Sequence, residues 1–426
     1  MPKPHDARLR APSRRLLAAC VAVFAAVSLN AAAATLTLPE ALARAAAYDP
    51  TRPAADARVQ AAQAGVRQAG VRPNPSLGAD LENFAGSGDV GLADRSEATL
   101  YYEQTWERGG KREARLGVAR AELAVAQGRA SVRTLDLLAE VQAAWVEALA
   151  AEAQIAVAEE RLAEARRLEG EVERRVRAAR DPLFSGERAR TATAQARIDR
   201  DQALAAAEQA RGLLASYWGG GHSFELSASA LERETVSPAG TVADTPDLRL
   251  LAMERDLSQA RIGVERARAV QDPRWRAGLR HFGESNDVAV IIGGSIPLGR
   301  NDTNQGAIAR AQAERTAADA DMVAARIDRE REVSRLRARR VATLAEVARN
   351  DSEVAPSAAR AVALVRDGFN RGGGAFTYLE VADAQRAVIE TKARRIELLK
   401  RFHLDGARLD RLTGRHAALL SNAEAR

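Results

Sequence analysis

Glu380 and Asp383 stand three residues apart at the expected start of a helix, which sets two carboxylates on one face. Such a pair can gather cations. It can equally be solvated charge at a helix N-terminus, where the macrodipole favours anions. Other chemistry finds little support. Beyond the N-terminal segment the histidines are His222, His281, His403 and His416, far apart and without ligand spacing, so no metal site is expected. Gly372-Gly373-Gly374 is not a phosphate loop, because no strand precedes it and no Lys-Ser/Thr follows. No nucleophile triad is evident. Neither catalysis nor a cofactor is expected.

The chain that must position these residues has 426 residues, 28% charged, 46% hydrophobic and only 4% aromatic. That composition excludes a disordered chain and a helical membrane protein, and its Ala- and Arg-rich stretches suit long helices. The net charge of +6 invites a nucleic-acid partner. Residues 1–34, however, read as a secretory signal: Arg8, Arg10, Arg14 and Arg15, then an apolar run from Leu16 to Leu29, then Ala31 to Ala34. Removing its five cations and one anion leaves about +2, with the charges interleaved along helix faces, which argues against nucleic acid. Leu17-Ala18-Ala19-Cys20 has the residue types of a lipoprotein box, but most of the apolar run follows Cys20, and ordinary cleavage near Ala34 is expected. Without Cys20 the chain has no thiol.

A duplication organises the rest. Asp49, Gly65, Val66, Pro75, Ala79, Leu81 and Phe84 recur at one offset as Asp247, Gly263, Val264, Pro273, Ala277, Leu279 and Phe282. The first repeat is expected over 35–220 and the second over 246–415. A linker rich in Gly, Ser, Thr and Pro joins them at 221–245, and 416–426 form a tail. Each half reads as helix, two strands, a long helix and a returning helix. In the first half these are a helix from 38 to about 71, strands at about 76–84 and 97–106, a helix over 111–180, a tip at 181–186 and a return from 187 to 217. In the second they are a helix over 247–270, strands at about 274–282 and 287–297, a helix over 303–367 kinked or interrupted at Pro356, a tip at 368–375 and a return over 377–413. Helices this long serve a coiled-coil-like assembly better than a compact domain.

The strands point to a membrane. Each has about nine or ten residues, enough for a tilted strand to cross a bilayer. Arg274, Arg276 and Arg280 alternate with Trp275, Ala277 and Leu279, so the arginines line a lumen or face headgroups at its rim. Phe84, Tyr101, Tyr102, Trp106, Trp275 and Phe282 crowd into the strand segments, as aromatic girdles at membrane interfaces would. Four strands cannot close a barrel and an open edge cannot face lipid, so several chains must share one barrel. Three would supply twelve strands.

Leu36-Thr37-Leu38-Pro39-Glu40-Ala41-Leu42, Arg72-Pro73-Asn74-Pro75, Gly110-Lys111-Arg112, Ile296-Pro297-Leu298, Asn304-Gln305-Gly306, Tyr378 to Gln385 and Arg411-Leu412-Thr413-Gly414 carry a resemblance over nearly the whole mature chain. In order and spacing the chain resembles the TolC-type outer-membrane efflux factors, most nearly their heavy-metal (CzcC-like) branch. The resemblance implies a mostly α fold with a small β part. It implies a homotrimer whose twelve-stranded β-barrel in the outer membrane continues into a periplasmic α-helical barrel. Its implied role is the exit duct of a tripartite pump, partnered by a periplasmic adaptor and an inner-membrane RND-type transporter. It implies that Glu380 and Asp383, with Glu187 as counterpart in the first half, ring the periplasmic aperture. It also implies that the adaptor engages the tips, at Pro182, Leu183, Ser185, Gly186, Gly368, Gly372, Gly373 and Gly374. The cargo would be heavy-metal cations. A duct for drugs or secreted proteins stays open as an alternative, as does a periplasmic structural coiled coil, which the strand pairs disfavour.

Overall fold

A computed structural model describes residues 35–88, 95–221, 224–233, 245–299, 301, 303–371 and 376–419. The expected signal, and with it Cys20, lies outside them. The elements follow the duplicated order. The first half has α1 (Leu38–Tyr48), α2 (Arg52–Ala69), β1 (Ser76–Glu82), β2 (Glu97–Thr105), α3 (Lys111–Arg177) and α4 (Leu183–Ser216). The second has α5 (Pro246–Arg268), β3 (Arg274–Phe282), β4 (Val288–Ser295), α6 (Gln305–Arg349), α7 (Ala355–Arg371) and α8 (Tyr378–Thr413).

The 67 residues of α3 span about 100 Å at about 1.5 Å per residue. This helix packs along α4, α5 and α8, and α8 in turn packs on α6 and α7. A long apolar cluster runs through the middle, where Leu138, Val141 and Leu149 of α3 meet Leu398 and Leu399 of α8 and Leu42 of α1. Gly414 closes α8 at φ 66, the left-handed geometry that a helix end needs and glycine adopts without strain.

The sequence pattern predicts one helix from 38 to about 71, yet the chain breaks at Asp49–Thr51. Asp49 Oδ1 accepts both the Thr51 N–H (2.9 Å) and its hydroxyl (2.7 Å), and the prolines at 50 and 53 fit at the start of a new helix. Pro356 does not stop the outgoing helix either. A π-helical turn over Asn350–Val354 widens the chain just before it and relieves the clash between a proline ring and the preceding turn. Arg395 fixes that turn by donating to Asp351 at 2.8 Å, and it also holds Glu232 at 2.6 Å. Part of the expected linker is therefore packed: Leu231 and Phe224 are buried, and Glu225 bridges Thr35.

The four strands form one antiparallel sheet in the order β1-β2-β3-β4, so β1 and β4 are its edges. Its register places Thr99 between Asp80 and Arg280, and Leu100 between Ala79 and Leu279. The period of two then sorts the side chains. One face carries Asp80, Glu82, Glu97, Thr99, Glu103, Arg274, Arg276 and Arg280. The other carries Leu77, Leu81, Leu100, Tyr102, Trp275, Leu279, Val288, Val290 and Ile292, every one of them exposed.

Candidate functional site

The charged sheet face is the first candidate. Arg280 gathers three strands, donating to Glu82 at 3.0 Å, Glu97 at 2.8 Å and the Thr99 hydroxyl at 2.9 Å. All three sequence-flagged arginines lie on this face, with four strand carboxylates among them. The face is thus nearly charge-balanced, with a small acidic excess.

The aromatics divide between the faces, which corrects part of the girdle expected from sequence. Tyr102 and Trp275 stand on the apolar face with ring centroids 5.7 Å apart. Trp106, one residue past β2, is 66% exposed, and Phe84, in the loop after β1, is also exposed. Tyr101, however, is on the charged face. Its ring covers Gly78, where an added Cβ would come within 2.5 Å of the ring, and Arg276 lies 5.5 Å from its centroid. Phe282 shares that face by register, opposite Glu97. Neither of these two rings points with the apolar set. On β4 the branched Val288, Val290 and Ile292 share one face, and Ala289, Ile291, Gly293 and Ser295 the other.

The second candidate lies at the far ends of the long helices. There the turn between α3 and α4 meets the end of α7 and the start of α8 around Leu168, Val172, Phe369, Tyr378 and Val381. Arg175 joins the halves. Its guanidinium grips Asp181 at 2.8 and 3.0 Å, donates to the Phe369 carbonyl at 2.6 Å and stacks 4.1 Å from the Phe369 ring.

Glu380 is exposed and turned back into a capping box, its carboxylate accepting from the backbone and hydroxyl of Thr377. The Thr377 hydroxyl and then its backbone N–H hold the Glu380 carboxyl below its ordinary range. Asp383 is exposed and meets Arg386 at 3.3 Å. Glu187 is 72% exposed and meets Arg190 at 2.7 Å. All three lie near the start of α4 or α8.

The tip residues need correction. Pro182 is the N-cap of α4, so the helix begins at Leu183 rather than Glu187. Ser185 and Gly186 lie inside its first turn and are buried, and they offer no side chain to a partner. Leu183 and Phe184 do, at 81% and 61% exposure. Gly368 belongs to α7, which runs to Arg371, and it packs against Phe376. Gly372, Gly373 and Gly374 lie outside the described residues. Arg175 and Phe369 escaped the sequence reading because 194 residues separate them. Among the described residues no group of side chains could hold a metal ion, and no helix is long and apolar enough to cross a membrane.

A family model described as outer membrane efflux protein matches residues 41–220. The chain is 28% identical over 390 residues to the cobalt-zinc-cadmium resistance protein CzcC of Cupriavidus metallidurans, covering 90% of this chain and 91% of that one. It is 31% identical over 342 residues to the nickel-cobalt-cadmium resistance protein NccC of Alcaligenes xylosoxydans xylosoxydans, covering 74% of each. Among solved structures, the outer membrane protein VceC of Vibrio cholerae superposes with a TM-score of 0.71 at 20% identity, covering 88% of this chain and 96% of that one. That likeness establishes the fold. The chain belongs to the outer membrane efflux protein family. It is an outer-membrane efflux channel and not an enzyme.

Proposed function

We propose that three copies of this chain share one barrel and form the exit duct of a heavy-metal efflux pump. The observation that carries this is the sheet. The large apolar side chains of one face are exposed, the opposite face is charged, and among the described residues neither edge strand has a second strand partner. Lipid would meet the apolar face, and water would fill a lumen lined by Arg274, Arg276, Arg280 and their carboxylate neighbours. Three four-stranded sheets supply twelve strands, and no β-edge is left in hydrocarbon. The long helices extend the duct into the periplasm, where an adaptor engages the tips and an inner-membrane RND-type transporter loads the channel. The names of the relatives favour divalent heavy-metal cations as cargo.

In this assembly Glu380 and Asp383 form two rings of three carboxylates at the periplasmic aperture, with Glu187 nearby. Such rings concentrate cations and repel anions. Single-channel recording in planar bilayers tests the assignment. Wild type should be cation-selective and blocked by divalent ions from the periplasmic side. Glu380→Ala/Asp383→Ala should lose both properties while still conducting. Pores unaltered by the double substitution would remove the aperture role and leave the duct.

A further inference from the structure

A second feature of the tip is not explained by an acidic aperture. A cleft of about 760 Å³ opens between the α3–α4 turn and the start of α8. Arg175, Arg180, Arg188 and Arg371 line it, and its one carboxylate is Asp181. Asp181 is already occupied by both arms of Arg175. Arg371 has its own partner one helical turn back, Asp367 at 2.5 Å. Arg180 and Arg188 are exposed, and among the described residues no carboxylate pairs with either. The intervening residues 372–375 are Gly-Gly-Gly-Ala and add no charge. The cleft therefore has a surplus of guanidinium groups. Beside them Phe184 and Leu379 expose apolar surface, at 61% and 44%.

We propose that this cleft binds a carboxylate-bearing segment of a periplasmic partner protein, with one apolar side chain of that segment seated against Phe184 and Leu379. The inference rests on the duct reading, which makes this end the one that meets a partner, and it adds the chemistry of what is bound. Planar guanidiniums suit carboxylates in bidentate geometry, and unpaired ones gain most from a partner. The cleft is large enough for several side chains. A small inorganic anion would satisfy the arginines but leave the apolar wall in water. A basic segment would be repelled. Charge complementarity sets the sign, and the adjoining apolar wall favours a polypeptide.

The test uses the full-length channel in detergent and three fluorescein-labelled short peptides. All alternate leucine with a polar residue: aspartate in the first, asparagine in the second, lysine in the third. Anisotropy should show binding of the aspartate peptide alone, weakening as salt screens the pairs. R180E/R188E should weaken it about tenfold or more, and R180K/R188K should retain most of it. Equal binding of all three peptides, or of wild type and R180E/R188E, overturns the proposal. The same preparations are recorded in planar bilayers. If R180E/R188E abolishes conductance, the arginines serve contacts between copies of this chain, and the proposal falls. Wild type that conducts but binds no acidic peptide removes the cleft alone. Wild type that inserts but never conducts removes the duct reading and this partner with it.

Discussion

Arg175 holds Phe369 twice, through a 2.6 Å hydrogen bond to its carbonyl and through a cation–π contact at 4.1 Å from its ring. Phe369 is 1% exposed, so this joint between the two repeats is shielded from water. Arg175→Ala should remove both contacts and leave Asp181 without its counter-ion. A loss of about 2 kcal/mol in local stability is expected. Hydrogen exchange should show faster opening at the starts of α4 and α8, with little change near the sheet. Arg175→Lys should recover only part, since an ammonium cannot make the paired contact with Asp181.

Glu380 is held ionised by Thr377, first through the hydroxyl and then the backbone N–H. A carboxyl whose folded value is depressed contributes stability that is present above its unfolded value and lost as pH falls through the folded one. The α8 cap should therefore persist below the range where an ordinary glutamate protonates, and so should the cation preference proposed for Glu380. Reversal potentials measured from neutral to acidic pH should show wild type keeping its selectivity further down than Thr377→Ala.

His416 behaves in the opposite sense. Burial lowers its affinity for a proton; Asp410 opposes the shift and Arg415 adds to it. Gln142 donates to Asp410 at 2.9 Å, so its oxygen is left to accept from His416 Nε2 at 3.0 Å, and the neutral imidazole fits this arrangement. The unfolded chain takes up that proton more readily than the folded one. Stability should fall as pH drops below about 6.5, the unperturbed histidine value, and continue to fall toward the depressed folded value. Arg340 lines the same cavity and adds further positive charge. Thermal unfolding of wild type and His416→Gln between neutral and mildly acidic pH should show a steeper decline for wild type.

Gly78 and Tyr101 make a separable prediction. Gly78→Ala would set a Cβ within 2.5 Å of the Tyr101 ring and force that ring off its strand. Overpacking of this kind costs about 1–3 kcal/mol. Heat resistance of the assembled channel should drop in Gly78→Ala and return in Gly78→Ala/Tyr101→Ala, where the ring is gone.

Much of this fold was legible because its signals are periodic. Arginines on alternate positions of β3 declared the two faces of that strand, and helices free of proline declared their length. The errors came where local chemistry competes with period. Asp49 ends one helix and turns the chain into the next within an unbroken apolar pattern. The π turn before Pro356 lets a helix continue where proline rules predict a break. Tyr101 belongs to the girdle aromatics by residue type alone, since strand parity sets it on the face opposite Tyr102. The glycine opposite it on β1, Gly78, was the available sign that its ring has somewhere else to lie. The link from Arg175 to Phe369 depends on tertiary packing between repeats, and no local pattern encodes it.

The shared barrel is most directly tested at its edges. Beyond Cys20 the chain has no cysteine, so pairs can be introduced cleanly on β1, at Leu77, Ala79 or Leu81, and on β4, at Val290 or Ile292. Oxidation in isolated outer membranes should join β1 of one copy to β4 of the next, and the ladder of products should end at three copies. A ladder that ends at another number, or no intermolecular product from protein resident in that membrane, would contradict a barrel built by three chains.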